Sequence, residues 1–195
     1  MGCVSCKTRG HLHALMADPL DIEAHLRLGL LQRHDYDYEG AITHLQFVTD
    51  NEPLSFLASL ELARIHKDLG RLDEAVAQFE SFLDLFDHYR HFPAGLLATT
   101  LDQARVSVAD VRSELACVLR ERGQTDRALA MLRLVIGQTA DHSAAHATYV
   151  SIRTENLGRI KEPQTVIESL EREFREYVLR DPNNSFPRYV LAQVY

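Results

Sequence analysis

Tryptophan is absent, proline occurs six times and cysteine three times in the 195 residues. Sparse proline leaves long stretches free to be helical. Three cysteines do not make a disulfide framework when Cys3 and Cys6 crowd one end and Cys117 lies far away. No run approaches the ~20 apolar residues of a membrane span, and the first residues lack the apolar core of a secretory leader. The chain as written therefore reads as cytoplasmic, unless a longer precursor was trimmed. Strand patterns are missing too: there is no long period-two alternation and no Asn-Gly or Asp-Gly turn between β-branched runs. Nor is there a nucleophile–base arrangement, a glycine-rich phosphate loop or a paired-carboxylate motif, so no catalysis and no cofactor are expected. Basic charge is in deficit, with 21 Lys and Arg against 28 Asp and Glu and a net charge of −7. That balance excludes general binding to a nucleic-acid backbone, which needs a basic footprint.

What is present is a globular composition, 46% hydrophobic and 25% charged, with apolar residues at helical spacing. The clearest stretch is Asp68–Leu83. Gly70 there can take the positive φ that ends a helix, Asp73 and Glu74 suit the start of the next, and Ala75, Phe79 and Phe82 share one face. This reads as the turn and second helix of a helix hairpin. Two markers then give one period: Pro19 to Pro53 and Ala41 to Ala75 both span 34 residues.

A 34-residue helix–turn–helix unit resembles the tetratricopeptide repeat. In a first unit, Ile22–Pro53, Leu28 and Gly29 stand at the Leu-Gly pair of the first helix, Ala41 at the small position of the second, Leu45 at the large one and Pro53 at the end. A second unit from Phe56 repeats this with Leu62, Ala63, Gly70, Ala75 and Phe79. A third, from about Ala109, has Leu115, Ala116, Gly123, Ala128 and Leu132, displaced by an insert of about 19 residues near 84–108. A fourth, less regular unit is expected from a helix over 143–156 and a long helix from Pro163 to about Arg180; Ser185–Tyr195 begins a fifth. The small residues let two helix axes approach while the large ones fill the groove beside them. The resemblance implies an all-α, right-handed superhelical solenoid of antiparallel helix hairpins over 18–195. Residues 1–17 are left as an N-terminal tail or partial repeat. An array cut within a repeat at both ends leaves apolar faces open, so the chain reads as a piece of a larger protein or as one that self-associates through an end.

Family resemblance further implies that first helices line a concave groove that binds a segment of a partner protein. Carried onto this sequence, groove positions fall at Glu23, Leu26, Leu30 and Arg33, then Leu57, Leu60, Arg64 and Lys67, then Asp110, Ser113, Cys117 and Arg120. Arg33, Lys67 and Arg120 are equivalent places, and with Arg64 would form a basic strip for a carboxylate-bearing ligand; basic residues in a helix's last turn are also explained by its dipole. The family's two-carboxylate clamp for acidic chaperone tails is not expected, because its positions hold Leu26, Leu30, Glu61, Asp110 and Glu114. The leucines instead suggest an apolar floor in the first half.

The N-terminal MGCVSCKTRGHLH has several readings. Cys3, Cys6 and His11 have ligand types and spacing suited to zinc. The run CVSCK resembles a c-type haem-attachment motif with Lys7 in place of histidine, which implies export. Gly2 with Cys3 resembles the acylated start of Src-type kinases, which implies membrane association. A plain tail with two reduced thiols is the fourth. Of the ten histidines, His25, His66 and His146 stand at packing positions, whereas His88 and His91 lie one helical turn apart in the insert.

Overall fold

The computed structural model describes residues 4–89, 107–155 and 161–194. Among them are ten α-helices and no strand, divided into two compact units, Met1–Ser107 and Val108–Tyr195. The first unit holds α1 (Val4–Ala17), α2 (Ile22–His34), α3 (Tyr38–Asn51), α4 (Phe56–Asp68) and α5 (Leu72–Tyr89). The second holds α6 (Val108–Glu121), α7 (Thr125–Gln138), α8 (Ser143–Thr154), α9 (Pro163–Arg180) and α10 (Ser185–Val194).

Sequence dictates the turns in a repeated way. The α2–α3, α4–α5 and α6–α7 hairpins all close with the same pair of backbone bonds: Asp37, Arg71 and Gln124 donate to the carbonyls of Gln32, His66 and Leu119 at 2.8–2.9 Å, and Tyr36, Gly70 and Gly123 donate to Arg33, Lys67 and Arg120 at 2.9–3.1 Å. This closure needs a residue in the left-handed region. Gly70 (φ 69°) and Gly123 (φ 83°) supply it without steric cost, whereas the first turn uses Tyr36 (φ 63°). Asp21 caps α2 by accepting from the Ala24 amide at 3.0 Å, and Asp37 caps α3 by accepting from Gly40 at 3.2 Å.

Packing inside the hairpins follows the small-against-large rule. A Cβ on Gly29 would stand 2.7 Å from Leu45 Cγ, so α2 and α3 approach as closely as glycine allows. Ala41, Leu45, Val48, Ala58, Leu62 and Ile65 form a buried cluster that ties α4 to the α2–α3 hairpin. Ala75, Phe79 and Phe82 are buried, and Phe82 meets the Phe56 ring edge-on at 5.2 Å. In the second unit Ala128, Leu132, Leu115 and Ala116 take the corresponding buried places. Beyond them Tyr149, Leu170 and Phe174 join α8 to α9.

Of the two alternatives for residues 1–17, the plain tail gives way over Val4–Ala17 to a helix that packs against α2 in the first unit, which is the form a partial repeat takes. At the start of the insert near 84–108, α5 runs on to Tyr89, carrying the amphipathic face of Phe79, Phe82 and Leu83 another turn and a half. His91 and the remainder of the insert, 90–106, lie outside the described residues.

Candidate partner-binding site

In the first unit two depressions flank α2 and meet at Leu30 and His34. One, of about 610 Å³, is lined by Leu30, Arg33, His34, Tyr36, Tyr38, Glu61 and Asp68. The other, of about 560 Å³, is lined by Leu30, Leu31, His34, Arg27 and His11 of α1. Leu30 is thus the apolar centre of a recess bordered by charged and aromatic side chains.

The leucines expected on the groove floor separate by burial. Leu60 is 0% exposed and belongs to the core, which corrects its placement on an open floor. Leu26 is half-buried and packs against the Leu45–Leu62 cluster. Leu30 and Leu57 are half-buried. Leu60 is buried although it lies about 200° around α4 from Leu62, so α4 is covered on more than the face that meets α3 through Ala58, Leu62 and Ile65.

Nor do the basic residues stand as an uncompensated strip. Arg33 and Arg64 both donate to the buried carboxylate of Glu61, Arg64 at 2.9 Å. The Glu61 side chain is only 6% exposed, so each arginine is drawn inward by a charge that would otherwise be buried unpaired. Arg120, in the second unit, pairs with Glu155 at 3.0 Å, a bond that raises its pKa further. Lys67 is half-buried at the end of α4. In the third repeat Ser113 is buried and bonds its own helix at Ala109, and Cys117 is half-buried.

His25 and His146 are absorbed by packing. His25 donates through Nε2 to the Pro19 carbonyl (3.1 Å), which leaves its Nδ1 to accept from His44 Nδ1 at 2.8 Å, and its ring stacks on Phe47. His146 is buried and donates to the Ala140 carbonyl at 2.9 Å. Burial pushes the pKa of His44, His66 and His146 below the ordinary histidine value. His142 caps α8 through Nδ1 and reaches Asp110 through Nε2 at 3.0 Å.

A second polar cluster lies in the other unit. Tyr149 donates to Glu173 at 2.7 Å and accepts from Arg133 and Arg153, both at 3.0 Å. Burial, with Glu173 nearby, pushes the Tyr177 hydroxyl up to about 12 and raises Tyr149 as well.

No three His, Cys, Asp or Glu side chains among the described residues come together to hold a metal. Gly2 and Cys3 lie outside the described residues, as does the Cys6 side chain, so the zinc, haem and acylation readings fall there; His11 lines the smaller depression. No helix among the described residues is long and apolar enough to cross a membrane.

Sequence reasoning missed Tyr36, Tyr38, His34 and Asp68 as lining residues. The 34-residue period held a usable clue, because it sets Tyr36 against Gly70.

The chain matches the tetratricopeptide repeat family over residues 35–89 and again over 108–136. It is similar to two crystal structures of MamA. One is 19% identical with a TM-score of 0.62, covering 87% of this chain and 88% of that one. The other is 16% identical with a TM-score of 0.64, covering 91% and 82%. No curated protein matches. With the Gly29–Leu45 contact, the buried Ala41, Ala75 and Ala128 and the thrice-repeated turn, these matches show that the chain carries tetratricopeptide repeats over 35–89 and 108–136.

Proposed function

We propose that the chain is a non-catalytic interaction scaffold that takes a segment of a partner protein against the α2 and α4 side of its first unit, with Leu30 at the centre of the contact. The observation that carries this reading is the pair of depressions meeting at Leu30 and His34 on a first helix of a repeat. A half-buried apolar centre with a polar border is the anatomy of a segment-binding recess. Glu61 supports it by holding Arg33 and Arg64 in place, so the recess is shaped before a partner arrives. The double substitution Leu30→Gln with Leu57→Gln tests this in a co-purification from the host. Loss of the wild-type partner with unchanged helical content is expected; full recovery would contradict the proposal.

A second reading, self-association, is favoured by apolar side chains left exposed: Met16 (80%) and Leu20 (69%) in the first unit, Leu179 (79%) and Tyr189 (58%) in the second. Sedimentation should show a concentration-dependent oligomer that Met16→Glu or Leu179→Glu removes. A monomer at every concentration would end this reading.

A further inference from the structure

We propose that the depression beside the α2–α3 turn receives a basic side chain of the partner segment, an arginine guanidinium in preference to a lysine, between the Tyr36 ring and the Asp68 carboxylate. This rests on the reading of the first unit as the binding face and adds the chemistry of one subsite.

Three observations converge. First, Tyr36 stands where the other two turns have glycine, in the same left-handed conformation and with the same two backbone bonds. A tyrosine there is strained, and at 78% exposure its ring buries too little within the fold to offset that cost. The ring is instead presented at the depression, where Tyr38 meets it edge-on at 6.2 Å and holds its orientation. Second, the cation already in the lining is committed: Arg33 is bound to Glu61, so the recess does not offer it to an anion. Third, carboxylates are in excess. Asp68 is exposed at the rim, and Asp35 and Asp37 flank Tyr36, Asp35 beside His34 and Asp37 accepting from Gly40 and Gln32, whereas Arg64, like Arg33, is paired with Glu61. An acidic side chain would be repelled here, and an aliphatic one would leave the ring face and carboxylate without a partner. A planar guanidinium satisfies both, stacking on the ring while its N–H groups donate to Asp68.

The test uses the full chain, isotope-labelled, titrated with three capped pentapeptides, Ala-Leu-X-Leu-Ala, in which X is arginine, glutamate or norleucine. The arginine peptide should shift the amide resonances of Tyr36 and Asp68 saturably and bind about tenfold more tightly than the norleucine one. Tyr36→Phe should retain that difference, whereas Tyr36→Gly, which relaxes the turn and so keeps the fold, should abolish it. Added salt should weaken the arginine peptide alone. Equal binding of arginine and norleucine peptides, tighter binding of glutamate, or a preference unchanged by Tyr36→Gly would each overturn the proposal. If the norleucine peptide then still shifts the Leu30 methyl resonances, the binding face stands without its basic subsite. If no peptide shifts Leu30 or Tyr36, both fall together.

Discussion

Each unit contains one carboxylate that gathers two arginines, and the surroundings differ. Glu173 on α9 holds Arg133 and Arg153 around the fully buried Tyr149, whose hydroxyl is saturated by one donated and two accepted bonds; Phe174 and Tyr177 pack beside it. Glu61 on α4 holds Arg33 and Arg64 beside an open depression, with no aromatic ring among its bonding partners. The same charge arrangement serves in one unit to join three helices and in the other to shape a recess. A carboxylate flanked by arginines is therefore not by itself a binding signature; what stands next to it decides.

The largest effects should come from removing those carboxylates. Glu173→Ala and Glu61→Ala are each expected to cost roughly 2–3 kcal/mol by leaving partly buried arginines, and in the second unit the buried Tyr149 hydroxyl, without their carboxylate. Chemical denaturation measures both, and a loss below about 0.5 kcal/mol for Glu61→Ala would break the parallel. Next, Ala75→Leu in the first unit and Ala128→Leu in the second should each cost about 2 kcal/mol, since both alanines are fully buried at helix contacts. A cost in one unit only would show that the hairpins do not pack alike. Smaller and opposite in sign is the turn comparison. Tyr36→Gly should stabilise by about 1 kcal/mol, whereas Gly70→Ala and Gly123→Ala should destabilise by about as much. A stabilised variant that no longer prefers the arginine peptide would display a cost in stability retained for binding.

The pH dependence is expected to be the mildest effect. His44, His66 and His146 are held below the ordinary histidine value of about 6.5, chiefly by burial, so the unfolded chain binds protons first as pH falls. Their contribution is fully present above about 6.5 and is lost as pH drops through the lower folded values. The melting temperature should be flat from pH 8 to about 7 and decline below about 6.5, less so in a His146→Gln variant; a rise on acidification would contradict the sign.

Much of the fold was legible in the sequence because its markers are local. Gly70 and Gly123 announce turns, Ala41, Ala75 and Ala128 announce close helix contacts, and Pro163 marks the start of α9. Val4–Ala17 was harder to read as a helix, because its helical character comes with packing on α2 rather than with a strong amphipathic face or charged end turns. The candidate site was legible only in outline. Leu30 follows from the repeat register, but the use of Arg33 depends on a contact across 28 residues to Glu61, which Arg64 reaches from one turn further along the same helix. Burial separates Leu60 from Leu57, a difference that depends on which helices cover each face of α4 and that spacing alone does not give. Tyr36 escaped notice because an exposed tyrosine in a turn is ordinary until its φ is known.

The most direct test places a photo-crosslinking benzoylphenylalanine at Leu30 in the recess or at exposed Ser81 on α5, in the full chain within its host. A discrete crosslinked partner from position 30 and none from position 81 is the predicted result. The same partner captured from position 81, with nothing from position 30, would contradict the assignment of the first unit's α2 and α4 side as the binding face.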